Sequence, residues 1–418
     1  MTIQADLSAT FRVTTPAFIG GGDPGAKDGA ELRLASFKGA LRFWWRATMA
    51  GEVGNNVDEL HRREAELFGA SAGGPGGGGQ SAVRMFLEVS DKPKPVEVGD
   101  VLKDGRTTVG SGARYLGYGV MTAFGKDSGK LTRACLPAPF EFTVQMRLKP
   151  TIRSRRAELE RAIKVMGLFG GLGSKSRKGY GSLTLMSLKR KGDGEVWTAP
   201  TTTDEFLEAI TTLKLSPLRG AQPEWTAFSD QARVMLVPAR KGDSAMALLN
   251  RLGEDLVMYR SWGNEGRVLE KEKAERNFRE DHDLIYEVKG VAIKHPKRVA
   301  FGLPHNYFIK DRKKPGRRKT VFVGALKYER RASPLFFHIH EVENQTPIGV
   351  VLLMPARFLP ERELIVIGKG RDAKSAPLSA NVLEPVDAFL TRLKEGPKPK
   401  QGRPYREPYA GVKEVRFV

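Results

Sequence analysis

Apolar and polar positions alternate from Ala9 to Ile19, which predicts a strand stopped by the glycines at 20–22 and by Pro24. Phe37, Leu41, Trp44, Trp45 and Thr48 then recur at i, i+4, i+7, i+8 and i+11, a helical stripe with Ser36 standing where an N-cap belongs. Val57 to Phe68 predicts a second helix, ended by residues 73–79, where every position but Pro75 is glycine and a flexible loop is expected. Strands follow at Val83 to Val89 and Phe140 to Leu148. A helix at Arg156 to Phe169 places Leu159, Ala162, Ile163 and Met166 on one side, and a strand at Tyr180 to Leu188 closes the run. Residues 91–137 are rich in Gly, Lys and Pro and suggest an insertion or projecting hairpin rather than core.

That order is strand, helix, strand, strand, helix, strand, the split βαβ or ferredoxin-like arrangement that also underlies RNA-recognition motifs. A second run follows: a strand at Arg233 to Val237, a helix at Ser244 to Trp262, strands at Leu335 to Glu341 and Gly349 to Phe358, a helix at Pro385 to Lys394 and a closing strand at Val412 to Val418. The expected fold class is therefore α+β, with two ferredoxin-like βαββαβ domains in tandem carrying large insertions. The expected boundaries are 1–195 for the first domain, 196–230 for a linker that has room for a short helix, and 231–418 for the second, with 263–300 and 310–331 as insertions.

The 418 residues carry 69 Lys and Arg against 48 Asp and Glu, and the resulting +21 points to a polyanionic partner, nucleic acid first and a membrane surface second. Apolar runs such as Val350 to Met354 are far too short to cross a bilayer, and Met1 to Thr10 lacks the pattern of a secretory signal. Cys135 stands alone, so no intrachain disulfide framework or cysteine-based zinc site can be built, and a reducing cytoplasm is the expected compartment.

The segment Gly167 to Gly181, GLFGGLGSKSRKGYG, gathers six glycines with Lys175, Arg177 and Lys178 between a helix and a strand. Bare backbone lets N–H groups approach a phosphate closely while the cations supply charge, although glycines serving turn geometry alone would give the same spelling. A Walker A loop needs Gly before Lys-Ser/Thr, and here Ser174 precedes Lys175. A dinucleotide fingerprint starting at Gly171 would need Gly or Ala where Ser176 stands, and it would open a helix instead of leading into a strand. On the first helix Lys38, Arg42 and Arg46 recur at i, i+4 and i+8 as a cationic face. Trp44 belongs to the core stripe, and Trp45 could pack or stack on a base.

The strings TTPAFIGG, ELRLASFKGALRFWWRA, GLFGGLGSKSRKGYGS, FGLPH and RRASPL, in that order, resemble the RAMP superfamily of CRISPR proteins, and within it the first-numbered subunit family of type III-B (Cmr) effector complexes. The resemblance implies a non-catalytic, RNA-binding structural subunit acting in antiviral defence near the 3′ region of the guide RNA. Its implied partners are guide RNA (crRNA), target RNA and the other Cmr RAMP subunits, with no cofactor, no metal and no membrane. It also implies RNA or subunit contacts at Gly170, Gly171, Gly173, Lys175, Arg177, Lys178 and Gly179, and at Lys38, Gly39 and Arg42 of the helix start. Arg46 extends that stripe, and Arg330 and Arg331 of the RRASPL string are expected to make ordered contacts, next to a stretch holding ten Lys or Arg between 310 and 331.

Candidates for catalysis are fewer. His338 and His340 would face the same side of a strand, which permits a metal pair, but no third ligand is evident and a structural role is the simpler reading. Asp23, Asp28 and His61 are candidates for an endoribonuclease processing guide precursors, the alternative function, although Asp23 and Asp28 also fit solvated turns. A ribosome-associated or membrane-surface protein would explain the charge but not the order of motifs.

Overall fold

The computed structural model describes residues 5–23, 25–71, 78–263, 265–269, 272–286, 294–310, 318–370, 373–397 and 407–417. Most of the glycine run 73–79 and the centre of the basic run 310–331 lie outside them. The chain divides into two compact units, one of Met1–Glu254, Phe336–Met354 and Ala410–Val418, the other of Asp255–Leu335 and Pro355–Tyr409.

In the first unit a five-stranded antiparallel sheet runs in the order Val83–Glu88, Phe140–Leu148, Leu7–Val13, Leu183–Arg190, Gly194–Thr198. Leu7, Ala9, Phe11 and Val13 alternate onto the buried face. Phe37 of the Leu34–Thr48 helix meets them edge-on, its ring 5.4 Å from Phe11 and 6.0 Å from Phe142. The Arg156–Phe169 helix buries Leu159, Ala162, Ile163 and Met166, the side its period predicts. A second antiparallel sheet orders Leu335–His340, Ile348–Leu353, Arg233–Pro238 and Lys413–Arg416. Residues of both sheets, among them Phe11, Leu185, Val234 and Val350, share one apolar core. The fold is thus mixed α+β with several antiparallel sheets.

Some expectations change. The first strand ends at Val13, and residues beyond it continue only as isolated bridges, Ala17 to Leu136 and Phe18 to Ser174. The Leu34–Thr48 helix begins ahead of Ser36, with Arg33 at the cap position and no side-chain cap, so the apolar stripe and not a capping hydroxyl sets its start. The stretch 196–230 is no loose connection: Thr203–Thr212 is a helix capped by Thr202, and Phe206, Ile210 and Phe228 are core. Residues 91–137 contain Leu102, Val109, Leu116, Met121 and Leu131, all buried, which a merely projecting hairpin would leave in water. The segments expected as insertions in the second run, 263–300 and 310–331, together with the expected helix at Pro385 to Lys394, fall in the second unit. Its four-stranded sheet, His305–Lys310, Arg318–Ala325, Leu364–Ile367 and Lys374–Pro377, packs Val321, Val323, Ile365 and Ile367 into a core of its own.

Candidate nucleic-acid interface

The cationic face of the Leu34–Thr48 helix turns toward the Val57–Phe68 helix, whose inward positions are Leu60, Glu64, Leu67 and Phe68. Glu64 is a carboxylate on an otherwise apolar stripe. Its Oε1 accepts from Arg42 Nε at 2.7 Å and from Arg46 Nη1 at 2.5 Å. Lys38 donates Nζ to the Phe68 carbonyl at 2.9 Å, and partial burial together with the Arg42 charge holds its pKa below the usual lysine value. Lys38, Arg42, His61, Glu64, Ser71 and Ser81 line a cleft of about 470 Å³. The three cations outnumber the one carboxylate, so the stripe keeps a positive balance while Glu64 fixes where two of its guanidiniums point. Gly39, one residue from Lys38, is exposed, and a Cβ there would meet nothing within 4 Å. Glu64 was legible only as a charge among the apolar positions of its helix.

The glycine-rich loop is built differently from its expectation. Gly170 is buried, and a Cβ there would lie 2.6 Å from Trp44 Nε1. At Gly171 a Cβ would press the Gly181 carbonyl at 2.9 Å, and at Gly179 it would meet Leu249 Cδ1 at 2.4 Å. Gly173 adopts φ +85°, and a Cβ there would stand 2.5 Å from the Phe18 carbonyl oxygen, to which Ser174 N donates at 2.8 Å. Close approach of the surrounding protein, backbone at Gly171 and Gly173, a side chain at Gly179 and both at Gly170, is enough to account for glycine at these positions. Tyr180 anchors the loop, fully buried, donating Oη to the Ala113 carbonyl at 2.8 Å.

The cations of the same loop stay near the surface. Arg177 lies over the rings of Phe43 and Phe336, 5.3 and 4.6 Å from their centroids, and Lys178 lies 5.7 Å from the centroid of Phe337. Phe337 N donates to the Arg177 carbonyl at 3.0 Å, tying the loop to the Leu335–His340 strand. Lys175, at φ +65°, places Nζ beside Gly119, and Arg133 donates to Ser174 Oγ at 2.8 Å. Through Phe43, the loop cations and the Leu34–Thr48 helix are joined in one unit. Phe336 and Phe337, which support them, were hidden in a run that reads as an ordinary buried strand.

Other candidates resolve into structural roles. Trp44 and Trp45 are both core, Trp45 donating Nε1 to Glu158 at 3.2 Å, so neither ring is offered to a base. His338 and His340 are buried and face the same side, but His338 Nδ1 pairs with the Gly170 carbonyl at 2.9 Å and His340 Nε2 with the Pro200 carbonyl at 2.8 Å. Burial drives their pKa values down to about 3 and about 4, so both rings are neutral. Among the described residues no group of three or more potential ligands could hold a metal ion. Asp23 accepts from Gly25 N at 2.9 Å in an exposed turn, and Asp28 is exposed in the same segment. Burial pushes the Cys135 thiol up to about 12, which leaves it protonated and unreactive.

Arg330 and Arg331 belong to the second unit. Arg330 is exposed, whereas Arg331 donates to the Arg357 carbonyl at 3.1 Å and lies over Phe358, an internal brace more than a contact surface. Among the described residues no helix is long and apolar enough to cross a membrane.

The basic helix and the loop wedged beside it sit in the part of the chain, residues 10–184, that matches the RAMP superfamily. The chain is similar to the CRISPR system Cmr subunit Cmr1-2 of Pyrococcus furiosus, 28% identical over 185 residues that span 42% of this chain and 92% of that protein. It also shares the fold of the crystal structure of Cmr1 from Pyrococcus furiosus in its apo form, with a TM-score of 0.52 and 15% identity over 92% of this chain and 95% of that one. A weaker likeness, with a TM-score of 0.46 and 12% identity over 92% and 99% of the two chains, joins it to a cryo-EM structure of the type III-B Cmr-beta bound to cognate target RNA.

Proposed function

We propose that this chain is a non-catalytic, RNA-binding structural subunit of a type III-B CRISPR effector complex, assembled with other Cmr RAMP subunits and holding guide and target RNA near the 3′ region of the guide. Homology to a protein named as a Cmr subunit supports the setting. The observation that carries RNA binding is the cationic stripe Lys38, Arg42 and Arg46 on one helix, with Arg177 of the glycine-rich loop packed over Phe43 of that same helix, in a chain of net charge +21. The order of four strands in each of the first unit's sheets, second-third-first-fourth along the chain, supports a tandem ferredoxin-like reading of the two expected modules.

RNA affinity is expected to fall with salt by about 0.7 log unit per log unit for each phosphate neutralised on a single strand. Replacing Lys175, Arg177 and Lys178 together by Ala should weaken binding similarly across sequences and reduce that slope by about 2. A flat salt response of the wild type removes the reading. The endoribonuclease alternative keeps one supporting observation, that His61 lines the cleft beside Lys38 and Arg42. Discrete products from labelled repeat RNA, abolished by His61→Ala, would establish it in place of the structural role.

A further inference from the structure

The second unit presents a sheet face that its core does not use. Along His305–Lys310 and Arg318–Ala325, Tyr307, Ile309, Val321 and Val323 turn inward, which sends Phe308 and Phe322 to the opposite face. Phe308 is 68% exposed, the equal of any large apolar side chain among the described residues. In register Phe308 pairs with Thr320 and Asn306 with Phe322, so Phe308 and Phe322 are diagonal neighbours whose Cα atoms lie roughly 7–8 Å apart. Gly324 carries no side chain, and a Cβ there would lie 2.6 Å from the tip of the Phe322 ring, so that ring lies down along its own strand. Lys369 Nζ stands 5.1 Å from the Phe322 centroid.

We propose that this face is a stacking platform for single-stranded RNA, with Phe308 receiving a base and Lys369 meeting the backbone phosphate beside it. The proposal rests on the reading of the chain as an RNA-binding subunit and adds to it a surface in the second unit. Flat aromatic faces on neighbouring strands accept any base, and cations beside them hold the backbone. Charge favours this occupant over a protein: Lys369 stands at the Phe322 ring, and Lys327 and Arg330 of the same unit are exposed, in a chain of net charge +21.

The test uses the full chain and a fluorescein-labelled oligouridylate of about twelve nucleotides, read by anisotropy across a salt series. Phe308→Ala should weaken binding roughly fivefold or more with an unchanged salt slope. Phe308→Tyr should restore affinity, and Lys369→Ala should lower the slope by about 0.7. On a ribose-phosphate oligomer lacking bases, wild type and Phe308→Ala should bind alike. Phe308 is so exposed that its loss should leave the melting temperature unchanged, which separates binding from folding. Affinity of Phe308→Ala within twofold of wild type overturns the platform and leaves the reading of the first unit standing. Normal RNA affinity with failed co-assembly with other Cmr subunits would assign the face to a protein and overturn it too. A wild type that binds no RNA removes both.

Discussion

Gly173→Ala separates two explanations of a glycine-rich loop, one in which bare backbone admits a ligand and one in which it admits the protein itself. At φ +85° an alanine is held in the left-handed region, at a cost of about 1–2 kcal/mol. Its Cβ would stand 2.5 Å from the oxygen and 2.7 Å from the carbon of the Phe18 carbonyl, backbone atoms with no rotamer to escape into. Overpacking of this kind costs about 1–3 kcal/mol, and the 2.8 Å bond from Ser174 N to that same carbonyl would be stretched. A total near 3 kcal/mol lowers the melting temperature by roughly 6–12 °C for a unit of this size class. Calorimetry reads that shift, and anisotropy with single-stranded RNA, well below both transitions, should show affinity within about twofold of wild type. A variant that melts like wild type but loses RNA would refute the reasoning, because the glycine would then face the ligand.

Three further outcomes follow from the buried charges. Glu64→Gln turns the acceptor shared by Arg42 and Arg46 into a neutral amide oxygen, so unfolding should become easier by about 1–3 kcal/mol while RNA affinity rises about twofold as a negative charge leaves the cleft; denaturant melts and the salt series check both. Arg392→Met removes the guanidinium that Asp255 and Glu275 share, at 3.0 and 2.7 Å inside the second unit, and should cost about 3–5 kcal/mol in unfolding experiments. His338 and His340 are held neutral in the fold, with pKa values near 3 and 4 against 6.5 for a free ring. The unfolded chain therefore binds more protons below pH 6.5, and stability should be full above that pH and decline as pH falls toward 4. The slope is at most about 1.4 kcal/mol per pH unit for each ring, and His340→Asn should flatten it.

The amphipathic periods at Val57–Phe68, Phe140–Leu148 and Arg156–Phe169 named those elements to the residue, because each is a long stripe whose burial outweighs local detail. Ser36 misled as a cap for the same reason: burial of Phe37 and Leu41 extends the helix back to Leu34 whatever hydroxyl lies nearby. The cations of the candidate site were legible as types and spacings. Their partners were not, since Glu64, Phe336 and Phe337 reach Arg42, Arg46, Arg177 and Lys178 from distant positions in the chain.

The order and kind of the long elements in the first run, the cationic stripe and the family likeness belong to the sequence, since they depend on local period, on charge and on spelling. What the glycines are for, which histidines are silent and how the second run is divided between two units were settled only by tertiary structure. A glycine's spelling is the same whether its bare face meets Phe18 or a phosphate, and a histidine's chemistry depends on what excludes water from it. Pairing of Arg233–Pro238 with Ile348–Leu353 and Lys413–Arg416 spans more than a hundred residues, and no local pattern records a choice made by strands that far apart.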